Sequence, residues 1–244
     1  MFGTSQATTW SGVVLAGLAL IAGSGGAISA ESTRAPNIVL IVADDLGWGD
    51  VSFNGRTEWS TPNLDRLAKQ GRVFQRCYTA AVVCAPSRGA FLTGKSTIHS
   101  GVRRNDDDLP AEEVTIAEAL KPLGYQTALF GKWHHGRPLA GRNDYIHPMD
   151  QGFDEFFGYT DAVHAWEKFP TKLWNGRQQV PVSGYIDDLV TGRAVAFAEK
   201  HKERPFFLYL AYVATHFQVA APAEEVARHK GKFVEADPGL PLKG

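Results

Sequence analysis

Cysteine is almost absent: Cys77 and Cys84 are the only two in 244 residues, and no Cys-x-x-Cys pair exists. That excludes a disulfide framework and a paired-cysteine zinc site. Charge of one sign is lacking too. The net charge is −1, with no acidic or basic run beyond Asp106-Asp107-Asp108, so nothing favours nucleic acid as a partner. The acidic triplet reads as a solvated loop. No Asn-x-Ser/Thr sequence occurs, which leaves no N-glycosylation signal. Near the start, Val13 to Ile21 is apolar, and a Gly/Ser/Ala-rich stretch follows to Ala30. The run is too short for a stable membrane span and lacks charged flanks. It predicts a signal peptide over residues 1–30, with cleavage after Ala27 or Ser29, and an exported protein, periplasmic or secreted. Residues 31–244 carry no internal repeat and no interdomain linker, as expected of one domain or part of a larger one.

What is present reads as an α/β chain. Asn37 to Ala43 is a continuous β-branched run between Pro36 and Asp44-Asp45. It predicts a strand buried on both faces, the pattern of a parallel sheet. Ligand sites in open α/β sheets gather at strand carboxyl ends, so the two acids stand where chemistry belongs. Adjacent carboxylates repel; a hard divalent cation or a turn are the two ways to place them. Thr61-Pro62 starts a helix with Leu64, Leu67 and Ala68 on one face and Gly71 past its end. Phe74 to Val83 reads as a strand and its exit. Val114 to Leu123 reads as a helix with Ile116, Ala119 and Leu120 inward, closed by Gly124. Tyr125 to Phe130 is the next strand.

At that strand's end stands Gly131-Lys132-Trp133-His134-His135-Gly136. In an extended segment Lys132 and His134 project on the same side, a cation and an imidazole aimed together. His135 is given no role. Gln151 to Gly158 reads as a packing loop, and Asn175-Gly176 as a hairpin turn. Trp166, Phe169 and Trp174 form either a sugar-stacking wall or the cover of a core. Ile186 to Lys200 reads as a helix with Leu189, Val190, Val195 and Phe197 together. Phe206 to Val213 is another apolar strand, running into Ala214-Thr215-His216, and a further helix begins near Ala221.

The stretch Cys84-Ala85-Pro86-Ser87-Arg88-Gly89-Ala90-Phe91-Leu92-Thr93-Gly94 organises the rest. Pro86 suits the first helical position and Gly94 the helix end. Cys84 then lies at the positive end of a helix, where a thiolate or a bound anion is favoured. Arg88, one turn on, reaches back toward the same spot. A thiolate phosphatase loop needs five residues between Cys and Arg, and this chain has three. A buried structural cysteine is the other reading.

The whole string resembles, at every fixed position, the C-x-P-S-R-x-x-x-L-T-G signature of the type I sulfatases. Asp44 to Asp50 is similar to that family's D-D-x-G-x-G-D segment, Thr61 to Ala68 to its T-P-N-L-D-R-L-A, and Gly131 to His134 to its G-K-W-H. Ala214-Thr215-His216 stands where the family usually reads A-P-H, with Thr215 the departure. The resemblance covers roughly Pro36 to His216. It implies an alkaline-phosphatase-like α/β fold, a mainly parallel sheet flanked by helices.

It also implies a chemistry. Cys84 becomes formylglycine, made by a formylglycine-generating maturation enzyme, and its hydrated aldehyde is the nucleophile. Calcium is held partly by Asp44, Asp45 and the modified Cys84. Lys132 and Arg88 stabilise the charged site, His216 serves the leaving group, and His134 takes the proton that lets sulfate depart. The substrate is a small sulfated molecule, an aryl sulfate or a sulfated glycan. A phosphoester or phosphonate monoester hydrolase of the same superfamily and a non-catalytic remnant are the rival readings. The family's later Asp-Asn metal pair, a further lysine and its carboxyl-terminal subdomain have no counterpart after His216. The chain is therefore expected to be truncated on its carboxyl-terminal side and a poor catalyst alone. Only Cys84 has Pro86 and Arg88 at the required offsets. Peptide mass spectrometry of chain made with a maturation enzyme should find the aldehyde at Cys84 and an intact thiol at Cys77; an intact thiol at both counts against the resemblance.

Overall fold

The structure is a computed structural model that describes residues 34–136 and 146–233. The leader expected at residues 1–30 lies outside them. Six strands form one sheet: β1 (Ile38–Asp44), β2 (Gln126–Lys132), β3 (Glu155–Tyr159), β4 (Lys172–Asn175), β5 (Gln178–Pro181) and β6 (Phe206–Thr215). Their spatial order is β1-β6-β2-β3-β4-β5. Pairs β1–β6, β6–β2 and β2–β3 are parallel, and β4 and β5 add an antiparallel hairpin turned at Gly176. The helices are α1 (Pro62–Gln70), α2 (Cys84–Thr93), α3 (Ile116–Leu120), α4 (Ile186–Lys200) and α5 (Ala223–His229).

Each face of the sheet carries its own core. Ile186, Val190, Ala194 and Phe197 of α4 pack on Phe130, Phe157, Leu208 and Leu210. On the other face Ala85 and Leu92 of α2 and Ala117 of α3 meet Leu129, Phe156, Phe207 and Tyr209. This is a three-layer α/β arrangement, with helices on both faces of a mainly parallel sheet.

Several local expectations change. The apolar run of β1 is buried on one face only: Val39 and Ile41 are exposed while Ile38, Leu40 and Val42 pack on the core. The strands buried on both faces are β6 and β2, because each pairs on both sides while β1 lies at the edge. Phe74 to Val83 forms no strand; it crosses the surface with Phe74, Tyr78 and Val82 exposed. Gln151 to Gly158 is not merely a loop, since its second half is β3. Pro86 stands third in α2, not first. In α3 the Thr115/Glu118 capping box starts the helix at Ile116, so Ala117 turns inward and Ala119 outward. In α4 the buried stripe at 186, 190, 194 and 197 leaves Val195 exposed. Helix α1 buries no residue among those described, and its Leu64 and Leu67 stay exposed.

The strand ends near β6 depend on two glycines with positive φ, Gly131 at 114° and Gly158 at 150°. A Cβ on Gly131 would overlap the Ala211 carbonyl, and one on Gly158 the Gly131 carbonyl. Gly158→Ala should therefore cost upwards of about 3 kcal/mol, the top of the usual single-substitution range. Gly192→Ala, in the open interior of α4, should instead gain about 0.5–1 kcal/mol. Urea unfolding of the two variants checks both signs.

Candidate active site

The site is built at the carboxyl ends of β1, β2 and β6 and the start of α2. Asp44, the last residue of β1, is buried, and its two oxygens face opposite partners. Arg88 Nη2 donates to Oδ1 at 3.1 Å and Lys132 Nζ donates to Oδ2 at 2.6 Å. Arg88 Nη1 also donates to the Lys132 carbonyl and to Tyr209 Oη, both at 2.8 Å. Burial works against charge on Asp44, but Arg88 and then Lys132 outweigh it and hold its carboxyl below the usual range.

Cys84 begins α2 beside this group. Its thiol is pushed up by burial, which prevails over the opposing pull of Lys132. The helix start does not make it a thiolate. The sulfur, an Asp44 oxygen and a His216 ring nitrogen all lie within 4.8 Å of one another, a spacing that one metal ion can bridge. His216 is 8% exposed and its Nε2 stands 3.7 Å from Asp45 Oδ2. Thr215 Oγ1 donates to the Asp45 carbonyl at 3.0 Å, tying the ends of β1 and β6 together. Asp45 itself turns out of the strand at φ 64° and stays exposed at the rim.

His134 does not continue the extended strand, since its φ is 79°. It is nonetheless buried, with Nε2 3.3 Å from the Asn105 carbonyl oxygen. A carbonyl only accepts, so Nε2 carries the hydrogen and Nδ1 keeps its lone pair. That Nδ1 is buried with no partner among the described residues. Burial first, then Lys132 and Arg88, push the His134 pKa down to about 3. Asn105 also accepts from the Ala85 amide through Oδ1 at 3.0 Å, so one loop residue touches both the start of α2 and the imidazole. A cleft of about 830 Å³ opens on the Cys84 side, lined by Asp44, Asp45, Cys77 and Arg88 among others. Lys132, His134 and His216 are not among the residues that line this cleft; each is nine-tenths or more buried.

The family model described as Sulfatase matches residues 36–237. The chain belongs to the sulfatase family. N-acetylgalactosamine-6-sulfatase of Mus musculus is 33% identical over 90% of this chain and 47% of its own length. The crystal structure of Ps i-CgsB superposes with a TM-score of 0.72 at 35% identity, covering 80% of this chain and 48% of that one. BT4656, solved in complex with its substrate D-glucosamine-2-N,6-O-disulfate, gives a TM-score of 0.74 at 26% identity over 84% of this chain and 40% of its own. This sulfatase chain thus spans about half the length of the relatives it matches, and its fold is alkaline-phosphatase-like.

Tyr209 and Asn105 are site neighbours that motif reading passed over. A buried arginine has five donors to satisfy, which is the signal that a tyrosine such as Tyr209 was needed nearby. Asn105 acts through a loop and leaves no pattern. The three aromatics do not make one wall: Trp166 lies 5.0 Å from Phe217, Phe169 5.5 Å from Tyr185 and Trp174 5.8 Å from His147. Trp166 reaches the site's edge through Phe217, whose ring stacks on His216.

Buried histidines also set a pH response. Burial lowers His134 to about 3 and His147 to about 4, and it lowers the fully buried His135 well below its ordinary value. The unfolded chain takes these protons near pH 6.5, while the folded one refuses them. Their stability contribution is complete above about pH 6.5 and is lost as pH falls toward the folded values. The unfolding temperature should therefore drop between pH 7 and pH 5, and His135→Phe should flatten that drop in thermal melts.

Proposed function

We propose that this chain carries the nucleophile and the sulfate-holding residues of an enzyme that hydrolyses the sulfate ester of a small sulfated molecule, with Cys84 matured to formylglycine as the nucleophile. The observation that carries the reading is the meeting of Cys84, Asp44 and His216 within 4.8 Å, with Arg88 and Lys132 on the same carboxylate. Arg88 and Lys132 converge on one buried carboxylate and would offer a sulfate two cationic donors, while Asp45 at the rim answers the second positive charge. A high thiol pKa suits a cysteine that is matured rather than used as sulfur nucleophile.

Calcium fits the donor set. Asp44 and Asp45 are hard oxygen donors at one strand end, and maturation would replace the soft sulfur of Cys84 by oxygen. These supply part of the six to eight oxygens that calcium takes. When bound, the ion offsets negative charge on the sulfate and the nucleophile. Arg88 and Lys132 hold the transferring group. One hydroxyl of the hydrated aldehyde at Cys84 loses its proton to solvent and bonds to sulfur as the bond from sulfur to the alcohol oxygen breaks, and His216 donates a proton to the departing alcohol oxygen. His134 Nδ1 then takes a proton from the second hydroxyl of the hydrated aldehyde, and the carbon–oxygen bond to sulfate cleaves. A bound anion screens His134 from Lys132 and Arg88, which raises its basicity when it is needed.

Kinship with BT4656 and its disulfated glucosamine supports a sulfated sugar as substrate, and an aryl sulfate is the simplest surrogate. A formylglycine-generating maturation enzyme is a protein partner that this reading calls for. The apolar run at Val13 to Ile21 supports export. Among the described residues no helix is long and apolar enough to cross a membrane.

Turnover of 4-nitrophenyl sulfate and 4-nitrophenyl phosphate by matured protein tests the reading. Sulfate should be preferred, chelation of calcium should reduce the rate, and Cys84→Ala should abolish it. Arg88→Lys should lower kcat by about 100-fold or more, the scale of losing one preorganised donor. Preference for phosphate would favour the phosphoester or phosphonate hydrolase, and undiminished activity of Cys84→Ala would refute the nucleophile.

A further inference from the structure

The strand that delivers His216 is irregular where it matters. Val42 pairs with Ala211, yet Asp44 pairs with Thr215, so two steps along β1 answer four along β6. The surplus residues of β6 are bulged, and a bulge takes backbone groups out of the ladder. Buried amides left that way need other partners.

Two buried side chains from outside the sheet hold this segment, one on its amides and one on a carbonyl. Asp187, in the first turn of α4, accepts from the Val213 amide through Oδ1 and from the Ala214 amide through Oδ2, both at 3.1 Å. Lys168 is 4% exposed, and its Nζ donates to the Val213 carbonyl at 3.1 Å. The same carbonyl accepts the His216 amide at 3.2 Å, closing a turn from Val213 to His216. Further, the Ile186 amide donates to the Lys168 carbonyl at 3.0 Å, so the cation and the helix bearing the anion are fastened to each other. Thr191 Oγ1 contacts Tyr212 Oη at 2.7 Å on the same stretch.

We propose that Asp187 and Lys168 are positioning residues for His216: they grip the bulged end of β6 and fix the imidazole beside Asp44 and Cys84. Neither touches the reacting atoms in this assignment. It rests on the reading above, in which His216 protonates the leaving group. A carboxylate on two successive amides admits one backbone arrangement. The amide of Asp187→Asn would aim a donor at one of them. The lysine holds the carbonyl that anchors the turn, so the two together hold the donors and the acceptor of one short segment.

The test uses matured protein with Asp187→Ala, Asp187→Asn and Lys168→Met, and two sulfate esters. One ester has an activated phenol as leaving group and one has the poor alcohol of glucosamine 6-sulfate. A misplaced proton donor hurts only the ester that needs the proton. The sugar ester should lose about 100-fold in kcat/KM, the scale of misplacing a catalytic group, while the activated ester changes little. Equal losses on both esters would overturn the assignment, because a general structural defect does not discriminate leaving groups. Hydrogen exchange gives a readout independent of turnover. Amides of Val213, Ala214 and His216 should exchange about tenfold faster or more in the variants, the scale of losing a charge-assisted hydrogen bond, with Leu129 and Phe156 unchanged. Unaltered exchange at those three amides would also overturn it. If wild type cleaves neither ester, the proposed function falls and exchange alone decides the clamp. Should Asp187→Ala fail to fold, Asp187→Asn and Lys168→Met carry both measurements.

Discussion

Asp44 between Arg88 and Lys132 is the constraint on which the site depends. The carboxylate comes from the end of β1, the guanidinium from α2 and the ammonium from the end of β2, and all three are buried. Burying charges is costly, and a pair or triad repays that cost only when each member keeps its partners. Stripping one partner from such a group costs about 3–5 kcal/mol in general, because a bare charge stays behind. The group therefore welds three elements that are far apart in sequence, and it does so at the point where a ligand must bind. Its arithmetic matters as well. Two cations meet Asp44, and Asp45 at the rim supplies the second negative charge, so the charge beside Cys84 is close to balanced.

The same balance explains why Cys84 is a neutral thiol. A helix N-terminus favours an anion by about 0.3–1 kcal/mol in exposed settings. At Cys84 the largest effect is burial, and Asp44 adds to it by raising the thiol further, while Lys132 and Arg88 pull the other way. Sequence reasoning placed the cysteine at the helix start and weighed the dipole and Arg88 against a buried thiol; burial prevails. The cation that would have activated the sulfur is already committed to Asp44. A sulfur nucleophile would be poorly served here, whereas a hydrated aldehyde brings hydroxyl groups whose protons are handled by histidines.

Much of this was legible because the chemistry uses short contiguous strings. The Cys84 to Gly94 stretch, the Asp44-Asp45 pair and Lys132 to His134 each announce themselves, and strand ends are where an α/β sheet keeps such residues. The hairpin at Asn175-Gly176 and the limits of α4 were equally plain. What stayed hidden depends on order in space. An apolar run like β1 does not say whether it lies at the edge or the centre of a sheet; the order β1-β6-β2-β3 decides that, and it exposes Val39 and Ile41. Helix phase was missed where a cap fixed it, as at Thr115. Asn105, Lys168 and Asp187 were missed because they hold backbone groups, which no side-chain pattern records.

The bulge in β6 shows how that hidden layer serves the visible one. With regular pairing, Ala211 opposite Val42 would put Val213 opposite Asp44. His216 would then lie three residues beyond the level of Asp44, roughly 10 Å along the strand, instead of one. The bulge takes up two residues before Thr215, draws Thr215 level with Asp44, and leaves His216 one residue beyond. Only then do an Asp44 oxygen, the Cys84 sulfur and a His216 nitrogen come within 4.8 Å. A bulge alone would leave amides of Val213 and Ala214 without ladder partners in a buried place, which is itself destabilising. Asp187 satisfies them from α4, so the geometry that serves the site is secured by a helix that never reaches it.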